Sequence, residues 1–196
     1  IKFMSNGTPI STVIGIKGSA VDVPSVTREG YTFTGWDNGL AKDATTVTIG
    51  ETNVTYTAQW NVNQYTLTFD TDGGNTIAPI TADYGTTITA PDAPTKTGYT
   101  FLGWSPELPS TMPAENVTYT AQWEINKYTV TFNGNNFYSV TYRIDGGTNT
   151  TTTENSIEIE YGSTITITIA KYRSQYGGTY DYTYANSGTD DGTRKR

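Results

Sequence analysis

The sequence predicts a mainly β protein, α+β at most, assembled from tandem small modules followed by a divergent C-terminal β module. Three observations carry this expectation: a threonine-rich composition poor in charge, short runs with an apolar residue at every second place, and an internal repeat. Charged residues make up 16% and hydrophobic residues 35%, while 13% aromatic residues remain available to fill cores. A disordered chain would combine high charge with few aromatics, so the composition points to packed structure. Threonine is β-branched, loses rotamer freedom in a helix and suits the wet face of a strand.

The repeat organises everything else. Asn53-Val54-Thr55-Tyr56-Thr57-Ala58-Gln59-Trp60 returns unchanged as Asn116 to Trp123, 63 residues on. Gly30-Tyr31-Thr32-Phe33-Thr34-Gly35-Trp36 returns as Gly98-Tyr99-Thr100-Phe101-Leu102-Gly103-Trp104, 68 residues on. Near-identical blocks with slack between them are what packed strands joined by tolerant loops produce. A third marker, Tyr65-Thr66-Leu67-Thr68-Phe69, is echoed as Tyr128-Thr129-Val130-Thr131-Phe132, and Ile1-Lys2-Phe3 reads as a remnant of the same strand. Each alternates apolar and polar residues, as do Val54, Tyr56, Ala58 and Trp60, with the period of a half-buried strand.

Between these strands lie turn signals. Asp72-Gly73-Gly74 can supply positive φ for a hairpin. Tyr84-Gly85 precedes a strand-like Thr86–Ala90, which Pro91 and Pro94 end, and Pro106, Pro109 and Pro113 leave room for at most a short helix. The expected modules are 1–60 and 61–123, each of a size that is marginally stable alone and gains from contact with a neighbour. The short linkers Asn61–Gln64 and Glu124–Lys127 limit hinge freedom between them. Residues 124–196 keep the Tyr128–Phe132 strand but lose the two repeated blocks. They read as a divergent or incomplete β module in which Tyr161-Gly162-Ser163-Thr164 resembles Tyr84-Gly85-Thr86-Thr87. A Tyr-rich strand and a polar, mobile tail from Asn186 follow.

The ordered set Tyr65–Asp70, Asp72-Gly73-Gly74, Tyr84-Gly85-Thr86-Thr87-Ile88, Gly98–Trp104 and Met112-Pro113-Ala114-Glu115-Asn116 to Trp123 resembles the Listeria–Bacteroides repeat, the internalin B-repeat family. The resemblance spans the second module nearly end to end and most of the first, where Thr48-Ile49-Gly50-Glu51-Thr52 replaces the Met-Pro-Ala-Glu lead-in. It implies small β-grasp-like modules, each a short sheet beside a helical or irregular segment. It also implies tandem arrays in large secreted or surface-attached bacterial proteins, with no catalytic residues to carry over.

Several function classes are excluded outright. Without Cys or His there is no Cys nucleophile, no Ser-His-Asp triad, no disulfide framework and no ordinary zinc, haem or iron–sulfur site. A net charge of -7 argues against nucleic-acid binding, which calls for a basic surface. No apolar run approaches the roughly 20 residues of a membrane-spanning helix, so no membrane insertion is expected. The chain opens at Ile1 without a Met and reads as an excerpt from, or a processed form of, a longer protein.

The recurring aromatics are assigned to structural cores: Tyr31, Phe33, Trp36, Tyr56, Trp60, Leu67, Phe69, Tyr99, Phe101, Trp104, Tyr119 and Trp123. Tyr172, Tyr176, Tyr180, Tyr182 and Tyr184 are the candidate ligand contacts, because a dense tyrosine ribbon suits glycan or protein binding as well as plain packing. Asp70-Thr71-Asp72-Gly73 lacks the further ligands of an EF-hand loop and reads as turn chemistry. Glu158 and Glu160, two apart on a strand, read as a solvated face. No cofactor, metal or catalytic group is expected.

The sequence thus points to a non-enzymatic extracellular repeat segment, a stalk or spacer on a bacterial surface, and to an extended particle in solution. The alternatives are an adhesive module for a host protein or glycan, and a filament subunit that pairs with copies of itself through sheet edges.

Overall fold

The computed structural model describes residues 1–132, 137–173, 179–182 and 187–189, and it is mainly β, with no helix among them. The first repeat supplies β1 (Lys2–Ser5), β2 (Thr8–Thr12), β3 (Ala20–Asp22), β4 (Tyr31–Trp36), β5 (Thr46–Thr48) and β6 (Thr55–Val62). The second supplies β7 (Gln64–Asp70), β8 (Ile80–Asp83), β9 (Tyr99–Ser105) and β10 (Val117–Ile125). The remainder holds β11 (Lys127–Thr131), β12 (Phe137–Ile144), β13 (Thr150–Thr152), β14 (Ser156–Glu160), β15 (Thr164–Arg173), β16 (Thr179–Tyr182) and β17 (Ser187–Thr189).

Both repeats build the same four-stranded sheet. The orders are β2-β1-β6-β4 and β8-β7-β10-β9, with a parallel central pair in each, Phe3 opposite Tyr56 and Phe69 opposite Tyr119. In the first, Asn6 (φ 48°) and Gly7 close a two-residue turn between Ser5 and Thr8, the geometry that matches strand twist. Small two-stranded sheets, β3-β5 and β11-β14, and a five-stranded sheet of β12, β13, β15, β16 and β17 complete the set.

By compactness the chain forms two units. The first comprises Ile1–Asp70, Thr76–Asp92 and Trp104–Thr120; the second comprises Thr71–Asn75, Ala93–Gly103 and Ala121–Arg196. The first unit holds two apolar clusters. One gathers Phe3, Val21, Trp36 and Ala58, with Phe33, Tyr56 and Trp60 packed against them. The other gathers Leu67, Phe69, Met112 and Tyr119, with Tyr65, Trp104 and Val117 alongside. In the second unit Phe132 and Val140 anchor a cluster with Tyr142, Ile157, Ile165 and Ile167.

One glycine explains the Gly-Trp motif. Phe33 and Trp36 are three apart, so strict alternation would put them on opposite faces. Gly35 has φ 146° and sits in a β-bulge, where the register slips between Phe33↔Trp60 and Gly35↔Gln59. The extra residue turns Trp36 onto the face of Phe33, and their rings meet edge-on at 5.5 Å.

Two local expectations need correction. Thr86–Ala90 is no strand: Thr87 alone bridges to Thr111, flanked by Met112 N–H to Thr86 O and Ile88 N–H to Ser110 O, and Pro91 and Pro94, which lack an N–H, stop any continuation. Ser187–Thr189, within the segment expected to be a loose tail, pairs antiparallel with Thr164–Thr166 as β17.

Candidate functional site

The recurring aromatics are placed as follows. Trp36, Leu67, Phe69 and Tyr119 are buried; Tyr31, Phe33, Tyr56, Trp60, Tyr99, Phe101, Trp104 and Trp123 are half-buried, and none is exposed. The same ring contacts recur in both repeats. Phe3 meets Trp36 at 5.3 Å and Tyr56 at 5.7 Å, and Phe69 meets Trp104 at 5.0 Å and Tyr119 at 6.1 Å. Phe33–Trp60 and Phe101–Trp123 pair at 5.5 and 5.4 Å. These are edge-on and offset contacts at the distances aromatic pairs favour.

Of the candidate ligand contacts, Tyr176 and Tyr184 lie outside the described residues. The backbone register sets Tyr172 opposite Tyr180 and Ala170 opposite Tyr182 across β15 and β16.

The carboxylates disperse. Asp145 (φ 50°) accepts hydrogen bonds from Ser163 Oγ at 2.9 Å and Thr164 N–H at 2.7 Å, which holds the turn after β12 to the start of β15. Asp72 (φ 46°) occupies a turn where Lys96 Nζ donates to its carbonyl at 2.7 Å. Glu158 and Glu160 are exposed on β14, while Ile159 between them is buried. Among the described residues no three acidic side chains gather as a metal cluster.

Three open grooves lie among the described residues. A groove of about 480 Å³ in the first unit is lined by Ile1, Val13, Ile14 and Ile49, with Glu51 as its carboxylate, and Glu51 is paired with Lys17. A second, about 630 Å³, runs over Glu29, Tyr84, Met112, Pro113 and Glu115. In the second unit a groove of about 410 Å³ is bordered by Lys127, Asp145, Glu158 and Glu160. None of these brings a nucleophile, a base and an oxyanion donor together, which is the minimum geometry of a reacting site. The Tyr119 phenol is pushed above its ordinary value, by burial first and by the Glu115 charge second, but its ring belongs to the second repeat's core.

Sequence reasoning missed two residues with repeated roles, Asn63 and Asn126. Each sits between consecutive repeat strands. Asn63 N–H donates to Gly30 O at 2.9 Å, and Asn126 N–H donates to Gly98 O at 2.8 Å. Thr32 Oγ1 donates to Asn63 Oδ1, and Thr100 Oγ1 to Asn126 Oδ1, both at 2.6 Å. The signal available in the sequence was the offset: Asn63 and Asn126 lie 63 residues apart, the spacing of the repeated strands that flank them.

Known proteins carry the same units. Residues 65–123 match the Listeria-Bacteroides repeat domain, and residues 5–64 match the divergent InlB B-repeat domain. The chain is 34% identical to a protein of Evansella cellulosilytica described as a Gly-rich membrane protein, over 83% of this chain and 19% of the relative. A second protein of that organism, described as a membrane protein, is 34% identical over 85% of this chain and 25% of its own length. Internalin H of Listeria monocytogenes is 36% identical over 63% of this chain and 25% of its own. The chain therefore spans about a fifth to a quarter of these relatives. Two sheets of one strand order and two adjoining family matches lead to a single assignment: through its first two repeats, the chain belongs to the Listeria-Bacteroides and InlB B-repeat family.

Proposed function

We propose that this chain is a non-enzymatic segment of a bacterial surface or secreted protein, lying outside the cell and acting as a spacer. Its units are the repeats 1–60 and 61–123 and the divergent module 124–196. The observation that carries the reading is the duplicated interior: both repeats place the same rings in the same contacts, and threonines such as Thr55, Thr68 and Thr118 face outward. The repeated rings are internal filler on this reading. The named relatives support the surface location, since one is an internalin and two are described as membrane proteins. No helix among the described residues is long and apolar enough to cross a membrane.

The test is replacement in the whole protein. The segment is deleted in frame, or exchanged for an unrelated β module array of equal reach, and exposure of the flanking regions to antibody on intact cells is measured. A spacer predicts loss on deletion and full recovery with the exchange. Failure of the exchange to restore exposure contradicts the reading.

A second reading, an adhesive module, is favoured by the pairing of Tyr172 with Tyr180 across β15 and β16. It predicts a glycan-array or pull-down signal that disappears in Tyr180→Ala and Tyr182→Ala variants that remain folded.

A further inference from the structure

Two joints in the chain are built alike from residues far apart in sequence. At the first, Asn63 N–H donates to Gly30 O, and Tyr84 N–H donates to Asn63 O at 2.9 Å. The Tyr84 ring covers Gly30 so closely that a Cβ there would fall inside it, and Gly30 has φ +73°. Tyr31 meets the Tyr84 ring edge-on at 6.0 Å, and the Arg28 guanidinium stands 3.5 Å over Tyr31. At the second joint Asn126 N–H donates to Gly98 O, and Tyr161 N–H donates to Asn126 O at 2.8 Å. The Tyr161 ring covers Gly98 (φ +78°) in the same manner, with Lys96 Nζ 4.5 Å over Tyr99 in the place of Arg28 over Tyr31.

Each joint lies wholly within one compact unit, the first in unit one and the second in unit two. The hollow, Gly-Tyr-Thr plus Asn, closes one repeat, and the tyrosine belongs to the Tyr-Gly turn of the following one. The divergent module has lost both long repeated blocks yet keeps Tyr161-Gly162. The Tyr161 ring meets Tyr128 of its own module at 6.2 Å, and that contact alone does not require the ring to cover Gly98 of the preceding repeat. In the first repeat the corresponding turn carries Lys17-Gly18: Ser19 N–H donates to Ile16 O just as Thr86 N–H donates to Asp83 O, both at 3.1 Å. Lys17 is paired with Glu51 and brings no ring. The contact is thus head-to-tail, a hollow on one copy and a knob on the next.

We infer that the Gly-Tyr-Thr hollow is an interaction surface whose partner is the Tyr-Gly turn of the next repeat, so that each repeat is completed by its successor and weakened when that tyrosine is removed. Glycine is required on one side because only a bare Cα at positive φ lets the ring approach. The ring is required on the other because it fills that space, and at the first joint it also meets Tyr31. Stability then passes between nearest neighbours, as in stacked repeat proteins.

The test is hydrogen exchange on the full 196-residue chain, read strand by strand. Tyr84→Ala is expected to speed exchange at least about tenfold in β4 and β6, which belong to the preceding repeat, roughly 1.4 kcal/mol of lost protection. Tyr84→Phe keeps the ring and is expected to stay near wild type. Tyr161→Ala is expected to act on β9 and the Ala121–Ile125 end of β10 and to spare β4 and β6. Thr32→Val, a milder change that removes the bond to Asn63, covers the case in which Tyr84→Ala does not fold; it is expected to speed exchange severalfold at Asn63 and along β4. Unchanged exchange in β4 and β6 in Tyr84→Ala, or in Thr32→Val if that variant must be used, overturns the inference. The spacer reading is untouched by either outcome, since uncoupled repeats would still hold flanking regions apart.

Discussion

The indole Nε1–H of Trp123 donates to the Thr71 carbonyl at 3.0 Å, whereas the equivalent indole N–H of Trp60 is buried and finds no acceptor among the described residues. The difference lies in the hairpins. The first repeat turns on two residues, Asn6 and Gly7, while the second runs on through Thr71–Gly74 and packs Gly74 against the indole, where a Cβ would come within 2.9 Å of Trp123 Cζ2. Trp123→Phe loses a hydrogen bond, with the Thr71 carbonyl keeping only the Gly74 N–H at 3.0 Å; Trp60→Phe removes an N–H that was costing stability. Urea unfolding should show Trp123→Phe to be the more destabilising by about 1 kcal/mol.

Tyr119 makes stability depend on alkaline pH. Burial and the Glu115 charge raise its phenol above the ordinary value of 10.0. The folded chain therefore keeps a proton that the unfolded chain gives up, so the contribution is whole below pH 10 and is lost as pH rises beyond it. Urea midpoints at pH 8 and pH 11 should fall further apart in wild type than in Tyr119→Phe. Glu115→Gln should narrow the gap by the smaller part.

Asp37 ties the end of β4 to β6. Its Oδ1 accepts Thr57 N–H at 2.6 Å and its own N–H donates to Thr57 O at 3.0 Å, while Asn38 Nδ2 donates to Thr55 O at 2.7 Å. A hydrogen bond to a carboxylate is worth about 1.5–3 kcal/mol where it is shielded, less where water reaches it. Asp37→Ala should lower chain stability by about 1 kcal/mol in urea unfolding, with faster exchange at the Thr57 amide.

Gly35→Ala tests the bulge. Space is not the obstacle, since the nearest atom to a Cβ there is Lys42 Cβ at 3.8 Å, an ordinary contact. The cost comes from φ 146°, a region alanine avoids, and should be about 1–3 kcal/mol. Near-ultraviolet dichroism should change with it, because Trp36 would lose its place against Phe33.

How far the sequence disclosed this structure depends on the range of each signal. Val54, Tyr56, Ala58 and Trp60 alternate visibly, and β6 follows them; the duplicated blocks return as sheets of one order. Met112 is 1% exposed in the second core, yet it stands in an irregular stretch among prolines with no period to mark it. The bulge at Gly35 breaks the alternation that strand reading relies on. The hollow at Gly30 joins residues 54 positions apart, and only folding brings Tyr84 to it. Thr86–Ala90 had the residues of a strand but found its backbone partner, Ser110–Met112, only over Thr86–Ile88.

The central claim is that the repeated rings are interior filler and offer no binding platform. Acrylamide quenching of tryptophan fluorescence tests it most directly, on the native and the urea-unfolded chain, with and without a glycan panel. The account predicts several-fold weaker quenching in the native state and no response to any glycan. Native quenching equal to that of the unfolded chain, relieved by a glycan that shifts the emission, would contradict it.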